Sequence, residues 1–290
     1  MANIKNSEIY SMYMNSPMES HKWESYFNIY DELFQKYRDK DVTFVEVGIH
    51  NGGSLYMWRN YFGKNSRIIG VELNPNAKQL EKDGFEIYIG DQSDPNFWKN
   101  FYNEVKNIDI LLDDGSHLYF DQLTTLKSTI PFINDSGMVV IEDTHTSYMQ
   151  RFGYKTTKTF TDFVNKIILN LHKRHPYSEL SKKSTIYDCI YKVTNYESIT
   201  AFHIDRQYDK LNKPIMNNNN GIGSTDFRYD KKFVGKILNL FQKLENNFYP
   251  KKKNFLIKIL LRINFLIKTL IYKIYNLTNL NKINKIFREI

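Results

Sequence analysis

Short apolar runs alternate with helical stretches through the middle of this chain, and that alternation narrows its fold more than any other feature. The runs are TFVEVGI (43–49), RIIGVEL (67–73), FEIYIG (85–90), IDILLDD (108–114) and GMVVIED (137–143). Between them lie SLYMWRNYF, PNAKQLEKD, DPNFWKNFYNEV and YFDQLTTLKSTIPFI, which read as helices. Five strands separated by four helices predict an α/β fold with an open, mostly parallel sheet and right-handed crossovers. TIYDCIYKVTNYESITAFHID (185–205) departs from the rhythm: two strand-like runs flank TNYE, so an antiparallel hairpin is expected at the sheet edge. Ahead of the sheet, Trp23, Phe27, Tyr30, Leu33, Phe34 and Tyr37 recur at helical spacing and predict a leading amphipathic helix over 19–40. The expected organisation is a helical segment (1–40), the α/β domain (41–205), a polar Asn-rich loop (206–230) and a helical basic tail (231–290).

Composition excludes several classes. A content of 41% hydrophobic and 15% aromatic residues supports a true core and rules out wholesale disorder. The net charge of +8 invites a nucleic-acid reading until it is located. Residues 251–290 hold ten basic residues against Glu289, a net of +9, which leaves −1 for residues 1–250. A basic nucleic-acid groove through the main domain is therefore not expected. In the tail, Lys258, Arg262, Thr269 and Lys273 fall within about 60° of helical arc, with apolar residues over much of the rest. Repeated lysines argue against a spanning helix. Two partners fit: an anionic membrane face, or protein, whether the chain's own domain or a second subunit in a homo-oligomer. The single cysteine, Cys189, excludes a disulfide framework and fits a reducing cytoplasm. The opening residues lack the apolar core of a signal peptide. The expected location is cytoplasmic, peripheral at the inner face of the plasma membrane if the tail docks there.

FVEVGIHNGGSLYMW (44–58) runs from a strand through a glycine-rich turn into a helix. Gly48, Gly52 and Gly53 let the backbone turn and approach a ligand, and Ser54 stands with them as a candidate cofactor-binding residue. The spacing is not GxGxxG, and no Lys-Ser/Thr pair marks a phosphate loop. Glu46 sits inside the turn, where it would repel a pyrophosphate and suit a cationic ligand. S-adenosylmethionine, a sulfonium without phosphate, satisfies that condition. Glu72, ending the second strand, is placed for ribose hydroxyls, and Asp91 after the third for an adenine amino group. Either acid would also serve as an ordinary helix cap.

LLDDGSHLYF (111–120) ends the fourth strand on Asp113 and Asp114, and the fifth ends on Glu142 and Asp143. Neighbouring parallel strands lie about 5 Å apart, so these four carboxylates converge and repel unless something positive lies among them. Mg²⁺ with carboxylate and water ligands meets that need, and the lack of thiolates argues against zinc. His117, at the mouth of the sheet, is placed to accept a proton from a substrate hydroxyl. His145 and Tyr148, in EDTHTSYMQRFGY (142–154), either line an acceptor pocket or pack the loop.

A parallel sheet closed by a hairpin is the Rossmann-like layout of class I methyltransferases rather than of dehydrogenases. With EVGIHNGGS, LLDDGSH and VIEDTHTSY in this order, residues 15–205 resemble the metal-dependent sugar O-methyltransferases. These include the macrolide-sugar and rhamnosyl enzymes and their cephalosporin-hydroxylase-like kin. The resemblance implies Asp114, Glu142 and Asp143 as Mg²⁺ ligands and His117 as the base, with Asp113 on the cofactor side or in a supporting role. It also implies a sugar, nucleotide-sugar or glycan acceptor. A composition rich in Lys, Asn, Ile, Tyr and Phe, joined to a membrane-seeking tail, directs the expectation to capsule or lipopolysaccharide sugars. Two other readings stand beside it: a hydroxylase-like tailoring enzyme on the same scaffold, and a non-catalytic membrane-docked scaffold protein.

Overall fold

The computed structural model describes residues 7–152, 158–175, 184–208, 233–251 and 254–289, with 178, 215 and 217 in isolation. The chain separates into two compact units, residues 1–214 and 215–290.

The first unit is built on a seven-stranded sheet of order β3-β2-β1-β4-β5-β7-β6. Its strands are β1 Thr43–Val47, β2 Arg67–Glu72, β3 Glu86–Ile89, β4 Ile108–Asp113, β5 Ile133–Ile141, β6 Ile190–Asn195 and β7 Thr200–Ile204. Strands β1 to β5 pair in parallel, and β7 runs antiparallel to both β5 and β6. This is the predicted open sheet with an edge hairpin, the class I methyltransferase arrangement. The central strands are continuous apolar runs because helices cover both faces. On one face, Tyr30, Phe34, Phe44, Trp58 and Phe62 pack together; on the other, Trp98, Phe101, Tyr102, Val164 and Phe202 do. Local chemistry sets the helix starts. Asp94 accepts from the Asn96 N–H ahead of α4 (Pro95–Val105), and a Thr159–Asp162 capping box opens α6 (Phe160–Lys173). The remaining helices of this unit are α1 (Glu8–Met14), α2 (Tyr26–Phe34), α3 (Gly53–Phe62) and α5 (Tyr119–Thr129).

Three expectations need correction. The leading helix covers 26–34 rather than 19–40, because residues 15–25 run as turns and irregular chain after Asn15 caps α1. Pro17 lies just beyond that cap and disfavours helix in the residue before it. PNAKQLEKD forms 3₁₀ turns (Pro75–Asp83) rather than an α-helix, and α6 was not foreseen. The Asn-rich stretch 210–227 lies almost wholly outside the described residues.

The second unit holds α7 (Phe233–Phe248), α8 (Phe255–Leu277) and α9 (Leu280–Phe287). Helices α7 and α8 are joined by the Asn264 amide donating to the Phe241 carbonyl at 3.2 Å. A Lys268–Glu245 ion pair at 2.7 Å adds to that seam. Among the described residues no helix is long and apolar enough to cross a membrane.

Candidate functional site

Strand order reverses between β1 and β4, the switch point where open α/β sheets place their ligands. A cavity of about 740 Å³ opens there, lined by Gly48, His50, Glu72, Asp91, Ser93 and Asp114 among others. Gly48 sits at φ +80°, and a side chain on it would collide with the Asp114 carbonyl, so β1 and β4 meet tightly only with glycine here. Glu72 accepts from the His50, Leu73 and Asn74 N–H groups and presents a fixed carboxylate to the cavity. Asp91 caps its own turn through the Ser93 N–H while lining the same cavity.

The other expected cofactor residues lie elsewhere. Gly52 (φ +85°) turns the chain into α3 beside Leu80. Gly53 leaves room for the chain's own N-terminal segment: its N–H donates to the Glu19 carbonyl, and Ser16 Oγ donates to the Gly53 carbonyl at 2.8 Å. Glu46 is wholly buried, accepting from Ser54 Oγ at 2.6 Å and from Lys22 Nζ at 3.2 Å. The cation that Glu46 demanded is thus a lysine of this chain, and Ser54 serves Glu46. Asp113 is buried beneath the DDGSH turn, where it accepts from Gln92 Nε2 and the Gly115 N–H. Burial raises its pKa to about 6.

Lys22 is the residue the sequence did not reveal. Its buried ammonium lies 2.7 Å from Asp114 Oδ2, 3.2 Å from Glu46 and 3.3 Å from Glu142, drawing three acids from three strand ends onto one cation. Burial pulls its pKa down, but Asp114 and Glu142, with Tyr30 and Glu46, drive it well above the lysine norm. Glu142 also accepts from Tyr30 OH at 2.7 Å, and burial together with Asp114 pushes its carboxyl up. Tyr26 OH at 2.5 Å and Trp23 Nε1 at 3.1 Å both donate to Asp143 Oδ1. Residues 16–26 thus pass over the carboxyl ends of the sheet and supply donors to the acids there. A lysine within an aromatic run, SHKWESYF, was the available signal.

Asp114, His117 and Asp143 each offer a ligand atom within 4.8 Å of the others. Two carboxylates and an imidazole form a donor set suited to a divalent cation. His117 carries a further mark: its Nδ1 is buried with no hydrogen-bond partner among the described residues, while Nε2 lies 3.5 Å from Asp143 Oδ2. Both His117 (φ +60°) and Asp143 (φ +53°) adopt left-handed backbone, a conformation that costs about 1–3 kcal/mol in non-glycine residues and that collects at functional sites. Of the expected ligands, Asp114 and Asp143 stand in this group beside His117, the expected base, while Glu142 is turned to Lys22 and Tyr30.

A second pocket of about 410 Å³ is lined by Lys22, Trp23, Tyr26, His117 and Asp143, and shares Gly48, His50 and Asp114 with the larger cavity. His145 and Tyr148 line a different pocket, of about 310 Å³, with Thr161 and Ser198. His145 touches the Asp143 side only at 3.9 Å.

No protein-family model matches the chain. Over 165 residues it is 33% identical to the 8-demethyl-8-alpha-L-rhamnosyl tetracenomycin-C 2′-O-methyltransferase of Streptomyces olivaceus, covering 53% of this chain and 43% of that protein. Over 154 residues it is 30% identical to the demethylmacrocin O-methyltransferase of Streptomyces fradiae, covering 51% and 38%. The chain thus spans less than half the length of these curated relatives. Among solved structures, MycE methyltransferase from the mycinamycin pathway, in complex with Mg and SAH, superposes with a TM-score of 0.60 at 24% identity. That match covers 69% of this chain and 54% of MycE.

Proposed function

We propose, from the similarity of about half of this chain to O-methyltransferases that include a rhamnosyl-sugar enzyme, that the chain transfers a methyl group from S-adenosylmethionine to a sugar hydroxyl with the help of Mg²⁺. The observation that carries this reading is the convergence of Asp114, His117 and Asp143 in the smaller pocket, with Asp114 also lining the larger cavity. The 740 Å³ crevice is large enough for the cofactor, with Glu72 at the ribose and Asp91 at the adenine. The smaller pocket takes the acceptor, and the exposed Trp23 indole offers a flat face to a sugar ring.

When bound, the cofactor supplies the methyl group and the metal ion acidifies the acceptor hydroxyl. The protein does the rest. Asp114 and Asp143 would hold the ion, and Trp23 and Tyr26 fix the Asp143 carboxylate by two donated hydrogen bonds. His117 takes the hydroxyl proton on its ring nitrogen. Lys22 offsets part of the negative charge that Glu46, Asp114 and Glu142 gather there. The two pockets meet at Asp114, so the reactants are held side by side, which removes most of the entropy cost of their encounter.

The relatives act, by name, on a rhamnosyl tetracenomycin-C and on demethylmacrocin. They offer no support for the capsule or lipopolysaccharide destination, and the proposed acceptor is a glycoside sugar hydroxyl.

The test is calorimetric binding of S-adenosylmethionine and Mg²⁺ followed by methyl transfer to rhamnosyl acceptors. His117→Ala is expected to lower the rate by about 10²–10⁴-fold with metal affinity unchanged, whereas Asp114→Ala loses the metal. Loss of metal binding in His117→Ala would make the imidazole a ligand instead of the base. Turnover that requires iron and oxygen without S-adenosylmethionine would replace the reading with a hydroxylase. Absence of both cofactor and metal binding would leave a scaffold.

A further inference from the structure

Fourteen large apolar side chains on α8 and α9 are exposed, from Ile259 at 40% to Phe255 at 74%. Ordinary folded surfaces rarely leave so continuous an apolar face in water. The helices are three-sided or two-sided in an ordered way. At ~100° per residue, Leu266, Ile259, Leu270, Ile263 and Leu256 fan across about 80° of α8. Asn264 and Lys268, on another side, bond to α7. Lys258, Arg262 and Lys273 fill the remaining flank beside the apolar fan. In α9, Leu280, Ile283, Ile286 and Phe287 share one side, and Lys282, Lys285 and Arg288 hold the other.

Charge selects what covers this face. Across α8, α9 and the following two residues there are seven basic residues and one acid, Glu289. Pairing with a second copy would bring like charges together at the rim of the seam, with almost no carboxylates to meet them. A lipid surface bearing anionic headgroups satisfies both parts. Its acyl boundary takes the leucines and isoleucines, and its headgroups take the lysines, whose long stems reach outward from the apolar edge. No described helix can cross a bilayer, so the helices must lie along it.

We infer that α8 and α9 dock the chain on an anionic membrane surface. The docking is independent of methyl transfer, and S-adenosylmethionine binding measured on the same samples keeps the two separate.

The experiment is co-sedimentation of the full chain with phosphatidylcholine vesicles, with and without phosphatidylglycerol. The chain is expected to sediment with the anionic vesicles and to bind neutral ones at least about tenfold more weakly. The triple variant Lys258→Gln, Arg262→Gln, Lys273→Gln is expected to lose about fivefold in affinity per charge, about a hundredfold in all. Leu266→Glu with Leu270→Glu should abolish binding. The triple variant changes only exposed positions of α8, so circular dichroism should match the parent and keep the test valid if the glutamate pair unfolds. Equal binding to neutral vesicles, or an unaffected triple variant, would overturn the inference. So would a stable dimer that the glutamate pair dissociates while the parent ignores vesicles of either kind, because a second copy would then be the cover.

Discussion

Lys22 and Lys273 belong to the same residue type and receive opposite treatment. Lys22 is buried among Glu46, Asp114 and Glu142, in a unit that also buries Trp58, Trp98 and a run of tyrosines and phenylalanines. Lys273 is exposed on α8 among leucines and isoleucines that are exposed with it. The first unit takes the Lys22 ammonium out of water and surrounds it with carboxylates. The second keeps charge and apolar surface side by side, the pattern of a surface made to meet something. The difference shows that a lysine's worth is set by what its burial leaves unpaired.

The sharpest way to break the comparison is Lys22→Met. Removing one partner from a buried ionic cluster costs about 3–5 kcal/mol, because the remaining charges stay buried without a counter-ion. The urea midpoint of the first unit should fall accordingly, and millimolar Mg²⁺ should restore part of the loss by neutralising the same acids. A Lys22→Met protein within 1 kcal/mol of the parent would mean that the acids are held apart some other way.

A second, smaller effect follows from His203 on β7. Burial, with Lys192 and Lys36 nearby, lowers its pKa to about 4, and its Nε2 meets Thr194 Oγ1 at 2.9 Å. The depressed folded value means that the unfolded chain binds the extra proton first. Stability from this group is therefore complete above pH ~6.5 and is lost as pH falls toward 4, a loss on the order of 2 kcal/mol. Urea midpoints measured from pH 7 to 4.5 should show that slope in the parent and lack it in His203→Gln. Parallel curves for the two would place the acid sensitivity of the first unit elsewhere.

The sequence makes the sheet legible because its strands are apolar runs with little competing signal, and the edge hairpin because its two runs flank a short polar turn. The acids Asp114, Glu142 and Asp143 are legible as a group, since parallel strands deliver their ends to one place. What periodicity cannot convey is a contact made by irregular chain. Lys22 lies 92 positions from Asp114, and the aromatic spacing of residues 23–37 fits one continuous helix as well as it fits the observed arrangement. The helical reading of residues 19–40 gave Lys22 no role, and so passed over the cation that lies against Glu46. Gly53 misled for a related reason. Small residues at a turn signal a close approach, but the sequence does not say whether a ligand or another part of the same chain makes it.

The smallest expected effect tests the other side of the comparison. Lys273→Met removes a charge from an exposed helix position and puts a strong helix former in its place. Exposed substitutions away from any buried network change stability by less than about 0.5 kcal/mol, so thermal and urea unfolding of the full chain should be unaltered. The same substitution should weaken attachment to anionic vesicles about fivefold. A variant that binds lipid normally and unfolds more easily would reverse the assignment, because Lys273 would then be holding protein together as Lys22 does. Only the combination of silent stability and weakened attachment separates a surface kept for a partner from a core that happens to lie open.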